Sequence, residues 1–207
     1  MSSNKKALII IDVQRDFCPG GPVAVKDGDS MVPMINRYIE GFSKGGGFIY
    51  AARKLYSESR KNFQALGADA PPHCVQGSPG AEFHRGLKLP EEAVIITRGL
   101  DSEGVCLSAF AGVDEEGRTL KDSLLAKGVS HIYLAGIATE HSVKATALEA
   151  RGYGFFVTIL LDGVRAVNKK TGDSEVAIGE MRKAGADTRD FSCLVLQLSR
   201  AVPKINS

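Results

Sequence analysis

Apolar positions along the chain gather into short runs separated by polar and turn-forming stretches. Runs rich in β-branched and aliphatic residues occupy 7–13, 48–53, 93–99, 131–137 and 155–162, and their length and composition predict buried parallel strands. Helix-like segments lie between and after them, at 31–44, 120–127, 140–151 and 173–184, the last setting Val176, Met181 and Ala184 among charges. Strands alternating with helices predict an α/β fold of three layers, α/β/α, built on a mostly parallel doubly wound sheet. From Thr188 onward Phe191, Leu194, Val195 and Leu198 fit a helix or a strand equally well. No internal repeat or low-complexity segment interrupts the pattern.

In such a sheet the ligand crevice lies beyond the carboxyl ends of the strands. That rule selects residues before any motif is consulted: Asp12 ends the first run, Arg98 ends the run 93–99, and Gly136-Ile137-Ala138-Thr139 leads into a helix opening near Glu140. The long segment 62–89, with Pro71-Pro72-His73-Cys74 and the glycines between 77 and 84, is the natural cover, because loops of this length in compact domains tend to be functional.

Composition narrows the class without changing it. The 207 residues are 43% hydrophobic and 24% charged, as in an ordinary globular chain, and no linker divides them, so one domain over 1–207 is expected. Against 26 Lys and Arg stand 24 Asp and Glu, too even a balance to indicate nucleic acid or a membrane surface as partner. The four cysteines, Cys18, Cys74, Cys106 and Cys193, form no CxxC pair and are too sparse for a disulfide scaffold. The apolar run near the start stops at Asp12, too short for a signal segment or a membrane span. A cytoplasmic protein acting on a small molecule is expected, with self-association left open.

Three stretches carry a resemblance. Asp12-Val13-Gln14-Arg15-Asp16-Phe17-Cys18-Pro19-Gly20-Gly21, then residues 71–83 from Pro71-Pro72-His73 to Glu82-Phe83, then Gly136-Ile137-Ala138-Thr139 with Val143-Lys144-Ala145-Thr146, resemble in order the nicotinamidase/pyrazinamidase branch of the isochorismatase-like hydrolases. The resemblance implies the fold already read from the pattern. It also implies an amidase site: a cysteine nucleophile, an aspartate that takes the thiol proton, a lysine beside both, and a metal held by an aspartate and histidines that anchors a pyridine nitrogen. Carried across, the aspartate is Asp12, the lysine position holds Arg98, and the nucleophile position holds Ser142. The ligand pattern Asp-x-His-x3-His falls on Lys54, Tyr56 and Arg60, with only His73 retained; a tryptophan position before Pro-Pro-His holds Ala70. The resemblance further implies a pocket-lining role for Phe17, a cis peptide between Ile137 and Ala138, and an oxyanion hole from the amides of Ala138 and Ser142.

Each departure has a chemical consequence. A serine hydroxyl is far less acidic than a thiol of pKa about 8.5, so a carboxylate that activates cysteine is a poor base for Ser142. The Arg98 guanidinium keeps its charge but cannot shuttle a proton. Charged Lys54 and Arg60 offer no lone pair and repel a divalent cation, so no metal and no cofactor is expected. With Lys54, Arg60, Arg98 and a protonated His73 facing the crevice beside main-chain amides at a helix start, the former cation site is expected to suit a small anion.

Plainer readings stand beside these. Asp12 could be a structural acid neutralising Arg98, Phe17 ordinary core, His73 a hydrogen-bonded loop residue, and Lys54 and Arg60 a solvated face paired with Glu58 or Asp69. Glu140-His141-Ser142 cannot be a catalytic triad, since consecutive residues entering a helix project roughly 100° apart. Two active alternatives remain: a hydrolase of altered chemistry that uses Asp12 as an acid, as superfamily members lacking the cysteine do on a vinyl ether, and a slow hydrolase acting through Ser142. The first needs Asp12 protonated, which adjacent Arg98 opposes.

Overall fold

A computed structural model describes residues 5–57, 71–100 and 106–193. The sheet has six strands, β1 (Lys5–Ile11), β2 (Phe48–Lys54), β3 (Val94–Arg98), β4 (Val129–Ile137), β5 (Phe156–Arg165) and β6 (Asp187–Arg189). They lie in the order β3-β2-β1-β4-β5-β6, and every pairing is parallel. The helices are α1 (Val32–Lys44), α2 (Leu120–Ala126), α3 (Lys144–Gly152) and α4 (Asp173–Lys183).

Strand β1 shows why the pattern folds this way. From Ala7 to Ile11 every residue is fully buried, as a central strand covered on both faces requires. Alternate side chains then feed two cores. Ala7, Ile9 and Ile11 join Ile132, Leu134 and Ile159 under Leu120 and Leu124 of α2, Ala147 and Ala150 of α3, and Met181 of α4. Leu8 and Ile10 join Ile49, Tyr133 and Ala135 under Val32, Ile35, Tyr38, Ile39 and Phe42 of α1. Full burial of each such aliphatic side chain is worth about 1.5–3 kcal/mol, so the two cores hold the layers together.

Helix α1 takes Pro33 into its first turn, where a missing N–H costs nothing, and ends at Gly45 with Gly46 at φ +69°. The amide of Gly47 then donates to Phe42 O at 2.8 Å and turns the chain into β2. Helix α2 begins at Thr119, whose hydroxyl accepts from the Asp122 amide at 3.1 Å.

The segment expected as helix from residue 140 differs at its start: Thr139–Val143 forms a wide π turn, and regular α-helix begins only at Lys144. The last strand of the expected set runs on to Arg165, past a register shift opposite Leu134 and Gly136. The segment left open from Thr188 onward starts inside a short strand, β6; Leu194, Val195 and Leu198 lie outside the described residues. Among the described residues no helix is long and apolar enough to cross a membrane.

Candidate active site

Three strand ends build the pocket. Asp12 follows β1 directly, with φ +53° and its amide donating to Ala52 O at 2.9 Å. Lys54 and Arg98 close β2 and β3 and stand opposite each other in register. Between β4 and α3 the π turn carries Ser142. Gly136 permits the approach: its φ is +123°, and a Cβ there would lie 2.0 Å from Ile11 O, so only glycine lets β4 pass β1 at this point. The peptide between Ile137 and Ala138 is cis.

The carboxylate of Asp12, 1% exposed, is the hub. Arg98 Nη2 donates to both of its oxygens, at 2.8 and 2.7 Å. Ser142 Oγ donates to Oδ2 at 2.8 Å, and Lys54 Nζ stands 3.5 Å from the same oxygen. Arg98 is tied down further by Nε to Cys106 O at 3.1 Å and Nη2 to Leu107 O at 3.2 Å, and lies 3.4 Å from Ser142 Oγ. Among the described residues its Nη1 is buried without a partner. Two cations thus face one carboxylate, a net charge of +1 (two minus one) among the described residues. Burial pushes the Lys54 ammonium below its ordinary pKa and nearby Asp12 partly restores it.

These contacts decide between the readings of Lys54. It is not part of a solvated face: its side chain is 11% exposed, points at Asp12 and lies 5.2 Å from the Phe17 ring centroid. Arg60, Glu58, Asp69 and Ala70 lie outside the described residues. Phe17 meets the His73 ring edge-on at 5.6 Å, and Tyr56 meets it from another side at 5.5 Å. His73 Nδ1 donates to Pro71 O at 2.9 Å, and burial holds the imidazole below its usual pKa. Burial thus disfavours the protonated form counted among the cations of the pocket, and the bond to Pro71 O accords with the plainer reading of a hydrogen-bonded loop residue. Ala138 is 6% exposed at the end of β4, with its carbonyl accepting from the amides of His141 and Val143. Glu140 reaches instead to the Asn168 amide at 2.7 Å, which leaves no triad with His141 and Ser142.

Two residues in the motif, Gln14 and Asp16, have roles the sequence reading did not assign. Buried Gln14 imitates a strand: Nε2 donates to Lys54 O at 2.7 Å and Oε1 accepts from Lys54 N at 2.8 Å, while Nε2 also donates to Ala81 O at 2.7 Å. It locks the backbone that carries Lys54 to the covering segment. Asp16 Oδ2 accepts from the Cys74 amide at 2.7 Å and fixes the residue beside His73. The signal was available, since an amide and an acid inside an apolar motif need partners when buried.

The donor chemistry does not fit a divalent metal. A lysine ammonium occupies the neighbourhood of Asp12, Tyr56 stands where an imidazole is needed, and no group of three or more His, Cys, Asp or Glu among the described residues could hold an ion. No chemical step is derived through one.

A parallel sheet in this order, with a buried acid, cation and hydroxyl where β1, β3 and the β4–α3 turn converge, defines a doubly wound α/β protein with a candidate site at its strand ends. The Isochorismatase domain matches residues 6–192, and the chain belongs to that family. It is 34% identical to the nicotinamidase/pyrazinamidase of Mycobacterium tuberculosis over 187 residues, covering 88% of this chain and 97% of that one. The Escherichia coli nicotinamidase is 32% identical over 200 residues, covering 87% and 92%. Among solved structures, the Pyrococcus horikoshii pyrazinamidase in complex with zinc superposes with a TM-score of 0.81 at 41% identity, covering 90% of this chain and 99% of that one. PnC1 from L. infantum in complex with nicotinate gives 0.78 at 32%, covering 93% and 96%. The chain is a nicotinamidase-like member of its family.

Proposed function

We propose that the pocket binds a small carboxylate of the nicotinate type and that metal-assisted amide hydrolysis is lost or nearly lost. The observation that carries this reading is the pairing of Asp12 with both Arg98 and Lys54. A carboxylate held by two cations is a weak base, and the hydroxyl it would have to deprotonate belongs to Ser142, a far poorer acid than a thiol. The cation that would polarise a neutral amide is replaced by an ammonium on a flexible stem. Arg98 and Lys54 together leave an unbalanced positive charge, and Arg98 Nη1 has a donor to offer. Both favour an anionic ligand over its amide.

A second reading rests on the 2.8 Å bond from Ser142 Oγ to Asp12. It has the geometry of a nucleophile and its base. In that reaction Ser142 Oγ forms a bond to the amide carbon as its proton passes to Asp12. The C–N bond breaks with the proton returned to the leaving ammonia, and water then cleaves the acyl-serine.

One experiment separates the readings. Nicotinamide and pyrazinamide hydrolysis is assayed on the wild type, Ser142→Cys and Ser142→Ala, alongside calorimetric titration with nicotinate and nicotinamide. The first reading expects nicotinate to bind at least tenfold tighter than nicotinamide, with no turnover restored by Ser142→Cys because the substrate anchor is also absent. Slow turnover abolished in Ser142→Ala, with an acyl-serine trapped for mass spectrometry, establishes the second. Turnover at the rate of an ordinary nicotinamidase overturns the first.

A further inference from the structure

Outside the Asp12 pocket, a cleft of about 340 Å³ opens between the turn that follows β1 and the segment around residues 80–85. Its wall includes Arg15, Asp16, Gly21, Gly80, His84 and Arg85. The adjacent Phe17 faces the other way, against His73 of the pocket already described, so the turn separates two sites.

The wall is built rather than loose. Arg15 N donates to Glu82 O at 2.9 Å and His84 N to Val13 O at 2.8 Å, which fastens the two segments together on either side of the basic residues. Glycine is required where they touch. A Cβ on Gly80 would lie 1.9 Å from Asp16 Oδ1, and one on Gly21 would lie 2.3 Å from Asp16 O. The His84 ring accepts the Gly86 amide on Nδ1 at 3.1 Å, which places its proton on Nε2 as a donor. The guanidinium groups of Arg15 and Arg85 have no hydrogen-bond or ion-pair partner among the described residues. Asp16 also lines the cleft, but its Oδ2 is held by the Cys74 amide, it forms no ion pair among the described residues, and its single charge is outnumbered by the two guanidinium groups. Two uncommitted planar forks and an imidazole N–H on one cleft match the oxygens of a phosphate group. The volume stands at the lower end of the roughly 300–1,000 Å³ typical of ligand sites, enough for more than a bare ion.

We propose that this cleft is a second binding site, which takes the phosphate group of a small phosphate monoester. The two arginines carry the charge recognition, His84 supplies an N–H donor, and the glycine-lined wall admits the ester group.

The full-length protein is titrated by calorimetry at low salt with AMP, with inorganic phosphate and with adenosine as the uncharged control. Saturable AMP binding is expected, tighter than that of inorganic phosphate, with none of adenosine. Arg15→Ala and Arg85→Ala each weaken AMP at least tenfold, Arg15→Lys and Arg85→Lys recover part of the loss, and Lys54→Ala leaves binding unchanged. Absence of AMP binding, equal binding of adenosine, or binding of inorganic phosphate alone overturns the proposal. Loss in Lys54→Ala with no loss in the arginine variants moves the phosphate to the Asp12 pocket and overturns it equally. Arg85 is exposed and its guanidinium has no hydrogen-bond or ion-pair partner among the described residues, so its variant keeps the test decisive if Arg15→Ala is unstable.

Discussion

Asp12 and Asp114 are both buried and both paired with arginine, yet their partners are drawn from different distances along the chain. Asp114 binds Arg118 Nε at 2.9 Å and also accepts the amides of Glu116 at 3.2 Å and Arg118 at 2.8 Å. All its partners lie within four residues, and the arginine side chain is 53% exposed. It staples a turn. Asp12 draws Lys54, Arg98 and Ser142 from positions 42, 86 and 130 residues away (54, 98 and 142 minus 12), and Arg98 is fully buried. Local satisfaction makes a structural device. A carboxylate held by partners from three separate elements, with charge left over, marks a site whose geometry the whole fold maintains.

The largest expected effect tests that contrast directly. Arg98→Ala leaves Asp12 buried with Lys54 as its remaining cation and should cost about 3 kcal/mol of stability. Arg118→Ala, at an exposed and solvent-screened pair, should cost far less. Urea unfolding of both variants checks the pair, and equal losses would break the comparison. Next in size, Asp114→Asn removes the carboxylate that the two amides and Arg118 hold, at about 1–2 kcal/mol near neutral pH. Burial opposes ionisation of Asp114, but hydrogen bonds from Arg118 outweigh it and hold its pKa below the ordinary 3.8. Its contribution is therefore complete above that value and disappears as pH falls through the folded-state pKa. Acid unfolding of wild type and variant should converge there.

The smallest effect concerns Lys54. Burial lowers its pKa from 10.5, so the unfolded chain holds the proton to higher pH than the native one. Stability from this group therefore rises as pH climbs from the folded-state pKa towards 10.5 and is lost as pH falls through the folded-state value. Thermal melts of wild type and Lys54→Met across the alkaline range should show that slope only in the wild type. A parallel pair of curves would mean that Asp12 fully compensates the burial of the ammonium.

Much of the architecture was legible in the chain. Ala7 to Ile11 read as an interior parallel strand, because a central strand of a parallel sheet is covered on both faces, and all five residues are fully buried. The strand-end rule picked out Asp12 and Arg98 and the resemblance added Ser142; Arg98 Nη2 and Ser142 Oγ both donate to the Asp12 carboxylate. The π turn at Thr139–Val143 was not, because its wider winding leaves the residue pattern of an ordinary helix start. Lys54 read equally well as solvated or inward.

Local chemistry determined which segments become strands, helices and turns, though not where α3 begins, since hydrophobic period, prolines and glycines act over a few residues. It determined also which groups were available at the strand ends: a serine in place of a thiol, an arginine in place of an amine, a lysine where a metal needs oxygen. Only the tertiary structure decided what those groups do to one another. Gln14 seats the Lys54 backbone against the covering segment and Asp16 pins Cys74, and together they bring an ammonium to 3.5 Å from Asp12 instead of leaving it in water. Electrostatic energy depends on distance and on the exclusion of solvent, and neither quantity exists until segments far apart in the chain have packed together.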